Sequence, residues 1–246
     1  MGATELILVR HGESAGNVAA TLAGRQGAER IDLPWRDPDV PLSPDGEQQA
    51  AALGRWLAGL PADELPDSVW CSPYLRARQT AELAGLPGIA GGMRIDERLR
   101  DRELGILDLL TSAGVAARFP EEARRRSWLG KFAYRPPGGE SWADVALRLR
   151  SVFRDLDDEE DGRRVAVVCH DAVIMLIRYV CERMSEQEVL ETAAANSVRN
   201  GSVTRLVRPA GTGPWKMETF NSVHHLQDGG APVTEHAGET DDIHPR

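Results

Sequence analysis

The chain is 246 residues long, with 41% hydrophobic and 27% charged residues, ordinary values for a soluble globular protein that argue against wholesale disorder and against a coiled coil. Asp and Glu outnumber Lys and Arg by 38 to 29, a formal net charge of −9, which disfavours general adhesion to nucleic acid or to an anionic membrane. No apolar run approaches the roughly 20 residues of a membrane span, Glu5 interrupts the short apolar stretch near the N-terminus so that it does not read as a signal peptide, and the three cysteines Cys71, Cys169 and Cys181 fit neither a disulfide framework nor a zinc site. The expectation is a cytoplasmic, enzyme-sized domain.

Glu5 to Arg10 (ELILVR) is a short apolar run that predicts a strand feeding a loop. The stretch from Gly16 to Val40 has no clear period and reads as a long loop, a helical start being left open. Ser43-Pro44-Asp45 starts a helix, with a capping Ser and Pro in the first turn; Ala50, Leu53, Leu57 and Leu60 share its apolar face. Ser68 to Cys71 predicts a second strand, and Ser72-Pro73 a helix running to about Ala84 before Gly85. Between Ile95 and Arg126 a surface helix rich in Arg and Glu is expected, its arginines solvated. Pro136-Pro137-Gly138-Gly139 breaks the chain. Ser141 then caps a helix in which Trp142, Val145, Leu149, Val152 and Leu156 recur at helical spacing and Asp144 stands at the capping-box position. Arg164 to Cys169 has the pattern of a buried strand, Ala172 to Met184 reads as a helix, and Val203 to Val207 and Lys216 to Phe220 as late strands. From Gln227 to Arg246 the chain turns polar, which predicts a disordered tail after a single domain over residues 1–226. Strands alternating with helices predict an α/β sheet covered on both faces.

Two short patterns carry the chemistry. LILVRHG puts His11 directly after one apolar strand, and VAVVCHD puts His170 directly after another. In an open α/β sheet ligands bind beyond the carboxyl ends of parallel strands. If these strands are neighbours, both imidazoles meet in one crevice. Arg10 stands beside His11, Gly12 permits a close backbone approach, Asn17 follows in the next turn, and Arg76 lies on the helix after the Ser68–Cys71 strand. Arginine forks match phosphate oxygens, so a cationic pocket for a phosphoryl group is expected. There is no GxxxxGK[ST] loop and no carboxylate cluster suited to Mg²⁺; no cofactor or metal is called for. Cys169 reads as a small apolar filler, and His224, His225, His236 and His244 as residues without a ligand set, the last two solvated in the tail.

RHGES at Arg10 to Ser14, with Asn17 after it, resembles the signature of the histidine phosphatase superfamily, the phosphoglycerate-mutase-like clan. LSPDGEQQA, CSPYLRARQTAE, RLRDRELG, GGESWADVALR and VVCHDAV follow in that family's order, so the resemblance covers about residues 5 to 225. It implies a three-layer α/β/α sandwich with a mostly parallel central sheet. It implies His11 as the nucleophile that becomes phosphohistidine, and Arg10, Arg76 and His170, with Asn17 assisting, as binders of the transferred phosphoryl. The acid stands at Asp101 where many relatives have Glu, with Glu103 as the alternative proton donor. Asp171 follows the second histidine where many relatives have Gly; its side chain is expected to turn away from a phosphate. Tyr134 and Arg135 are weaker candidates for a second anionic group, with packing equally open to them.

The function this implies is a metal-independent phosphatase acting on a small phosphorylated metabolite, with neither nucleic acid nor membrane as partner and a homodimer left open. A phosphoglycerate mutase is the alternative, and a non-catalytic phosphate-binding module the third. The segment after Asn17 does not resemble the mutase loop, and the His, Arg and carboxylate positions are filled.

Overall fold

The structure, a computed structural model, describes residues 1–236. In chain order the strands are β1 (Glu5–Arg10), β2 (Ser68–Cys71), β3 (Arg94–Ile95), β4 (Arg164–Cys169), β5 (Val203–Val207) and β6 (Lys216–Ser222). The helices are α1 (Ala15–Gln26), α2 (Pro44–Ala58), α3 (Leu75–Leu83), α4 (Leu86–Ile89), α5 (Ser112–Arg118), α6 (Pro120–Ala133), α7 (Trp142–Glu159), α8 (Asp171–Cys181), α9 (Glu186–Ala195) and α10 (His224–Asp228). The sheet order is β3-β2-β4-β1-β5-β6. The first four are parallel, and β5 and β6 join antiparallel at one side, so the sheet is mixed with a parallel centre.

The central strands are buried along their whole length, and alternate residues serve opposite layers. Leu6, Leu8, Val165 and Val167 pack with Val145, Leu149 and Leu156 of α7 and Ile174 and Ile177 of α8. Ile7, Val9, Ala166 and Val168 face the other way, onto Leu53 and Leu57 of α2 and Ala77 and Ala81 of α3. This is the three-layer arrangement expected. The three cysteines are free and buried; Cys169 is an apolar filler whose thiol burial pushes up, and burial pushes the Cys71 thiol up to about 12.

Several elements differ from expectation. The Gly16–Val40 stretch opens with three turns of helix. Ser14 accepts from Asn17 N–H and Asn17 returns a bond to Ser14 N–H, a capping box, and Gly27 ends the helix at φ 63°. Caps define α1, while its sequence lacks the apolar stripe that would have marked it. The second-strand helix begins at Leu75, not Ser72, because the Ser72 hydroxyl accepts from Tyr74 N–H and bonds His170. Arg98 and Arg100 are not solvated: Arg98 pairs with Asp96 and Asp155, and Arg100 with Glu140.

The start of the expected tail is placed. Residues 224–228 form α10, and the chain to His236 lies back on the domain. Gln49 Nε2 donates to Pro232 O and Thr234 Oγ1, each at 2.9 Å, and Asn200 N–H donates to Thr234 O at 3.2 Å. Polar partners hold this segment, which is why its composition reads as solvated. His244 and the rest of the tail lie outside the described residues.

Candidate active site

β1 and β4 are neighbours in register, Arg10 opposite Cys169. The residues that follow, His11 and His170, therefore leave the sheet side by side. His11 N–H still donates to Cys169 O at 3.0 Å. The ring centroids are 5.1 Å apart at an interplanar angle of 62°. Both side chains are buried.

Each ring has a fixed surrounding. His11 Nδ1 is 2.7 Å from Gly12 O. A carbonyl oxygen only accepts, so Nδ1 carries the proton and Nε2 presents its lone pair. Arg76 Nε donates to that Nε2 at 3.3 Å. His170 Nε2 lies 2.7 Å from Ser72 Oγ, and its Nδ1 faces Asp101 Oδ2 at 3.3 Å without hydrogen-bond alignment. Burial, then Arg76, His170 and Arg10, hold the His11 pKa well below the usual imidazole value. Burial, then Arg76, Arg148 and Arg10, do the same for His170. Both are therefore neutral at pH 7 in the unliganded protein.

This sets a pH dependence of stability. In the unfolded chain each imidazole takes a proton near pH 6.5; in the folded chain both resist it to well below that. Below about 6.5 the unfolded state binds more protons, so the stabilisation is present above that pH and is lost as pH falls, by up to about 1.4 kcal/mol per unit for each ring. Burial raises the carboxyls of Asp37 and Asp171; their contribution has the opposite sign, present below about pH 4 and fading as pH rises. Thermal melts from pH 7.5 to 5.5 in phosphate-free buffer should therefore show wild type losing stability more steeply than His11→Ala. Parallel curves would show that His11 does not carry this term.

Arg10 and Arg76 flank the two rings. Arg10 is buried; its Nη1 donates to Val198 O, while Nε has no hydrogen-bond partner. A buried donor left unpaired is costly and marks a place for an acceptor. Arg76 Nη1 donates to Asp37 O at 2.7 Å and Asp37 Oδ1 at 2.9 Å, and Nη2 to Asp101 Oδ2 at 3.2 Å. Asp101 Oδ1 accepts from Arg102 N–H, and Arg148 Nη2 holds its carbonyl at 3.1 Å; Arg148 is in turn paired with Glu140. The carboxyl of Asp101 is thus fixed between Arg76 and His170.

The cavity is less cationic than expected, because Asp37 and Asp171 also line it. Asp171 is on the cavity wall. Burial raises its carboxyl, Arg10 is the strongest opposing charge on it, and it accepts a backbone bond at Val198. Asp37 sits on the guanidinium an entering phosphoryl group would need. Replacing Asp37 with Asn keeps the shape and removes the charge. Inorganic phosphate should then bind about three- to tenfold tighter by calorimetry, a gain of order 1 kcal/mol for removing a like charge at this range. Unchanged affinity would mean that Asp37 swings clear when an anion enters.

The cavity holds about 630 Å³, and His11, Arg10, Asn17, Arg76, Asp101 and Asp171 are on its wall; His170, fully buried beside His11, is not. Four further sequence candidates stand elsewhere. Gly12 N–H donates to Thr80 Oγ1 at 3.0 Å, and a Cβ on it would lie 2.6 Å from Gly46 O, so its bareness serves the approach to α2 rather than to a ligand. Glu103 accepts from Tyr74 OH at 2.9 Å, is half-exposed and faces outside the cavity. Tyr134 is buried in a satellite cluster with Leu107 and Val115, its hydroxyl on Glu122, and Arg135 pairs on the surface with Asp144 of the α7 cap.

Sequence reasoning missed Asp37, Ser72, Arg148 and the pair Glu13–His236. His236 Nε2 lies 2.6 Å from Glu13 Oε2 and its Nδ1 2.6 Å from Thr21 Oγ1, at the cavity wall and not in solvent. Glu13 had a signal in RHGES; His236, in a polar run, had none. Among the described residues no group of three His, Cys, Asp or Glu side chains is arranged to hold a metal.

A family model described as histidine phosphatase superfamily (branch 1) matches residues 6–222. The chain is similar to 6-phosphofructo-2-kinase/fructose-2,6-bisphosphatase of Gallus gallus, 32% identical over 183 residues that make up 74% of this chain and 34% of the relative. It therefore spans about a third of the length of the curated relatives it matches. Among solved structures it resembles a mycobacterial glucosyl-3-phosphoglycerate phosphatase, TM-score 0.67 at 27% identity, covering 89% of this chain and 99% of that one. It also resembles Bacillus stearothermophilus YhfR, TM-score 0.71 at 26% identity, covering 91% and 99%. The ordered motifs, the paired histidines and this match over most of the sequence agree: the chain belongs to the histidine phosphatase superfamily, branch 1.

Proposed function

We propose that this protein hydrolyses phosphomonoesters of a small metabolite through a phosphohistidine on His11, without a metal ion. The observation that carries the reading is the neutral His11 ring, its Nδ1–H spent on Gly12 O and its Nε2 lone pair turned to Arg76 beside the second imidazole. A phosphate monoester resists attack because its oxygens are charged, so catalysis rests on positioning and charge stabilisation. Arg10 and Arg76 supply the fixed positive charge, and a bound dianion favours protonation of His170, offsetting the cations that keep it neutral.

In the first step His11 Nε2 forms a bond to phosphorus as the ester P–O bond breaks, and Asp101 gives the departing oxygen its proton. In the second, water attacks the phosphohistidine and gives its proton to Asp101; the P–N bond breaks, releasing inorganic phosphate and neutral His11. Asn17 at the cavity wall is the further binder in this scheme.

The test is incubation with nitrophenyl phosphate and, separately, with 3-phosphoglycerate plus trace bisphosphoglycerate, each with and without a chelator. Phosphate release that the chelator leaves unchanged is expected. Isomerisation without release would make the protein a mutase, and neither would make it a non-catalytic binding module.

A further inference from the structure

The cavity is far larger than a phosphoryl group, and much of its lining beyond the histidine and arginines is aliphatic. Ile31 and Leu33 enter it from the segment between α1 and α2; Leu104, Leu109 and Leu110 from the segment between β3 and α5; Leu190 from α9. The first two segments are stitched together. Ile31 N–H donates to Leu109 O at 2.9 Å, Thr111 N–H to Glu29 O at 3.2 Å, and Thr111 Oγ1 to Ala28 O at 2.6 Å. A Cβ on Gly114 would lie 1.9 Å from Glu29 O, so α5 begins in backbone contact with the same loop. The leucines are held as a collar on fixed backbone, not as a loose flap.

Leu109 is held at φ 57°, a left-handed conformation that disfavours any side chain and that glycine adopts freely. A leucine kept there, with its side chain in the cavity wall, fits a site where the side chain has a use. Four polar groups around the collar are engaged by the protein itself, and Ser197 Oγ, also on the cavity wall, has no hydrogen-bond partner. Asp108 accepts from Leu109 N–H, Arg102 donates to Glu140 O, Lys131 lies over the Trp142 ring, and His236 is bound between Glu13 and Thr21.

We propose, resting on the phosphatase reading above, that this collar selects the organic part of the substrate, and that this part is apolar: an alkyl or aryl phosphate rather than a sugar phosphate. A sugar hydroxyl set against leucine loses its water without gaining a partner, whereas a methylene gains by leaving water.

The n-alkyl phosphates from ethyl to octyl test this, because their leaving alcohols are nearly equal in acidity and only contact changes along the series. kcat/KM should rise about three- to fourfold per methylene, the transfer value of ~0.8 kcal/mol converted at 1.4 kcal/mol per tenfold, and glycerol phosphate should fall below propyl phosphate. Leu109→Gly, which suits the backbone and so retains the fold in a thermal melt, should cut the octyl-to-ethyl ratio about tenfold, the worth of one aliphatic side chain. Leu33→Asn should reduce it in the same direction. Octylphosphonate and ethylphosphonate, which cannot be hydrolysed, are titrated calorimetrically in parallel. A flat series with normal turnover, or equal phosphonate affinities, overturns the apolar assignment and leaves the phosphatase reading intact. A steep phosphonate preference with no phosphate release from any ester overturns the phosphatase reading and upholds the collar.

Discussion

Replacing His11 with Ala should lower turnover of nitrophenyl phosphate by ~10⁴-fold or more, the scale seen when a covalent nucleophile is removed. The fold should survive. The His11 ring is neutral, buried and flanked by Arg76 and Arg10, so its removal deletes a desolvated polar group together with its bonds to Gly12 O and Arg76 Nε, and leaves the β1–β4 pairing untouched. The melting temperature above pH 7 should be equal to or slightly above that of wild type. Wild-type protein quenched in alkali during turnover should carry an alkali-stable, acid-labile phosphoryl group, and the variant none. Near wild-type phosphate release from His11→Ala would sink the nucleophile assignment, because Ser72, the hydroxyl within reach of His170, would then be the obvious replacement.

The centre of this fold was legible for a physical reason. β1 and β4 are buried on both faces, so their sequences are unbroken apolar runs that end where polar chemistry starts. The same boundary that stops the strand presents the histidine, and pairing β1 with β4 in parallel brings both to one place. The α7 helix announced itself equally well, since its cap and its apolar stripe agree. Elements without an apolar stripe, or held by partners distant in the chain, were not legible. α1 is defined by its caps alone. The residues up to His236 are held by Gln49, Asn200 and Glu13, from three separate parts of the molecule, and no local pattern records that.

The site shows the same division. Arg76 was found because it lies on a recognisable helix after a strand, yet its partner Asp37 sits on a short turn, residues 37–39, in a loop without periodicity. The resemblance points to Tyr134 and Arg135, and local polar contacts hold them outside the cavity: the hydroxyl of one is taken by Glu122, the guanidinium of the other by a helix cap. The preference for Asp171 to avoid the cavity followed from charge repulsion alone. It omitted Arg10, which stands close enough to compensate, and the burial that favours the neutral carboxyl.

Asp101→Asn should separate good leaving groups from poor ones. The amide keeps the size of the side chain and can still sit between Arg76 and His170, so binding of the phosphoryl group should change little. What is lost is the proton. For an alkyl phosphate, whose alkoxide is a poor leaving group, the rate should fall by ~10²- to 10⁴-fold, the usual range for a general acid. For nitrophenyl phosphate, whose phenolate leaves without help, the first step should fall less than about tenfold. Any remaining loss there belongs to the second step, where the same group takes a proton from water. Adding a strong nucleophile such as hydroxylamine to intercept the phosphohistidine should then restore part of the nitrophenyl rate and none of the alkyl rate. Glu103→Gln is the control: its carboxylate is half-exposed, bound to Tyr74 and outside the cavity, so both rates should stay within about threefold of wild type, the scale of a surface change away from the reacting atoms. A loss confined to alkyl esters in Glu103→Gln, with Asp101→Asn active on both, would transfer the proton donor to Glu103 and require the segment carrying it to turn inward when substrate binds.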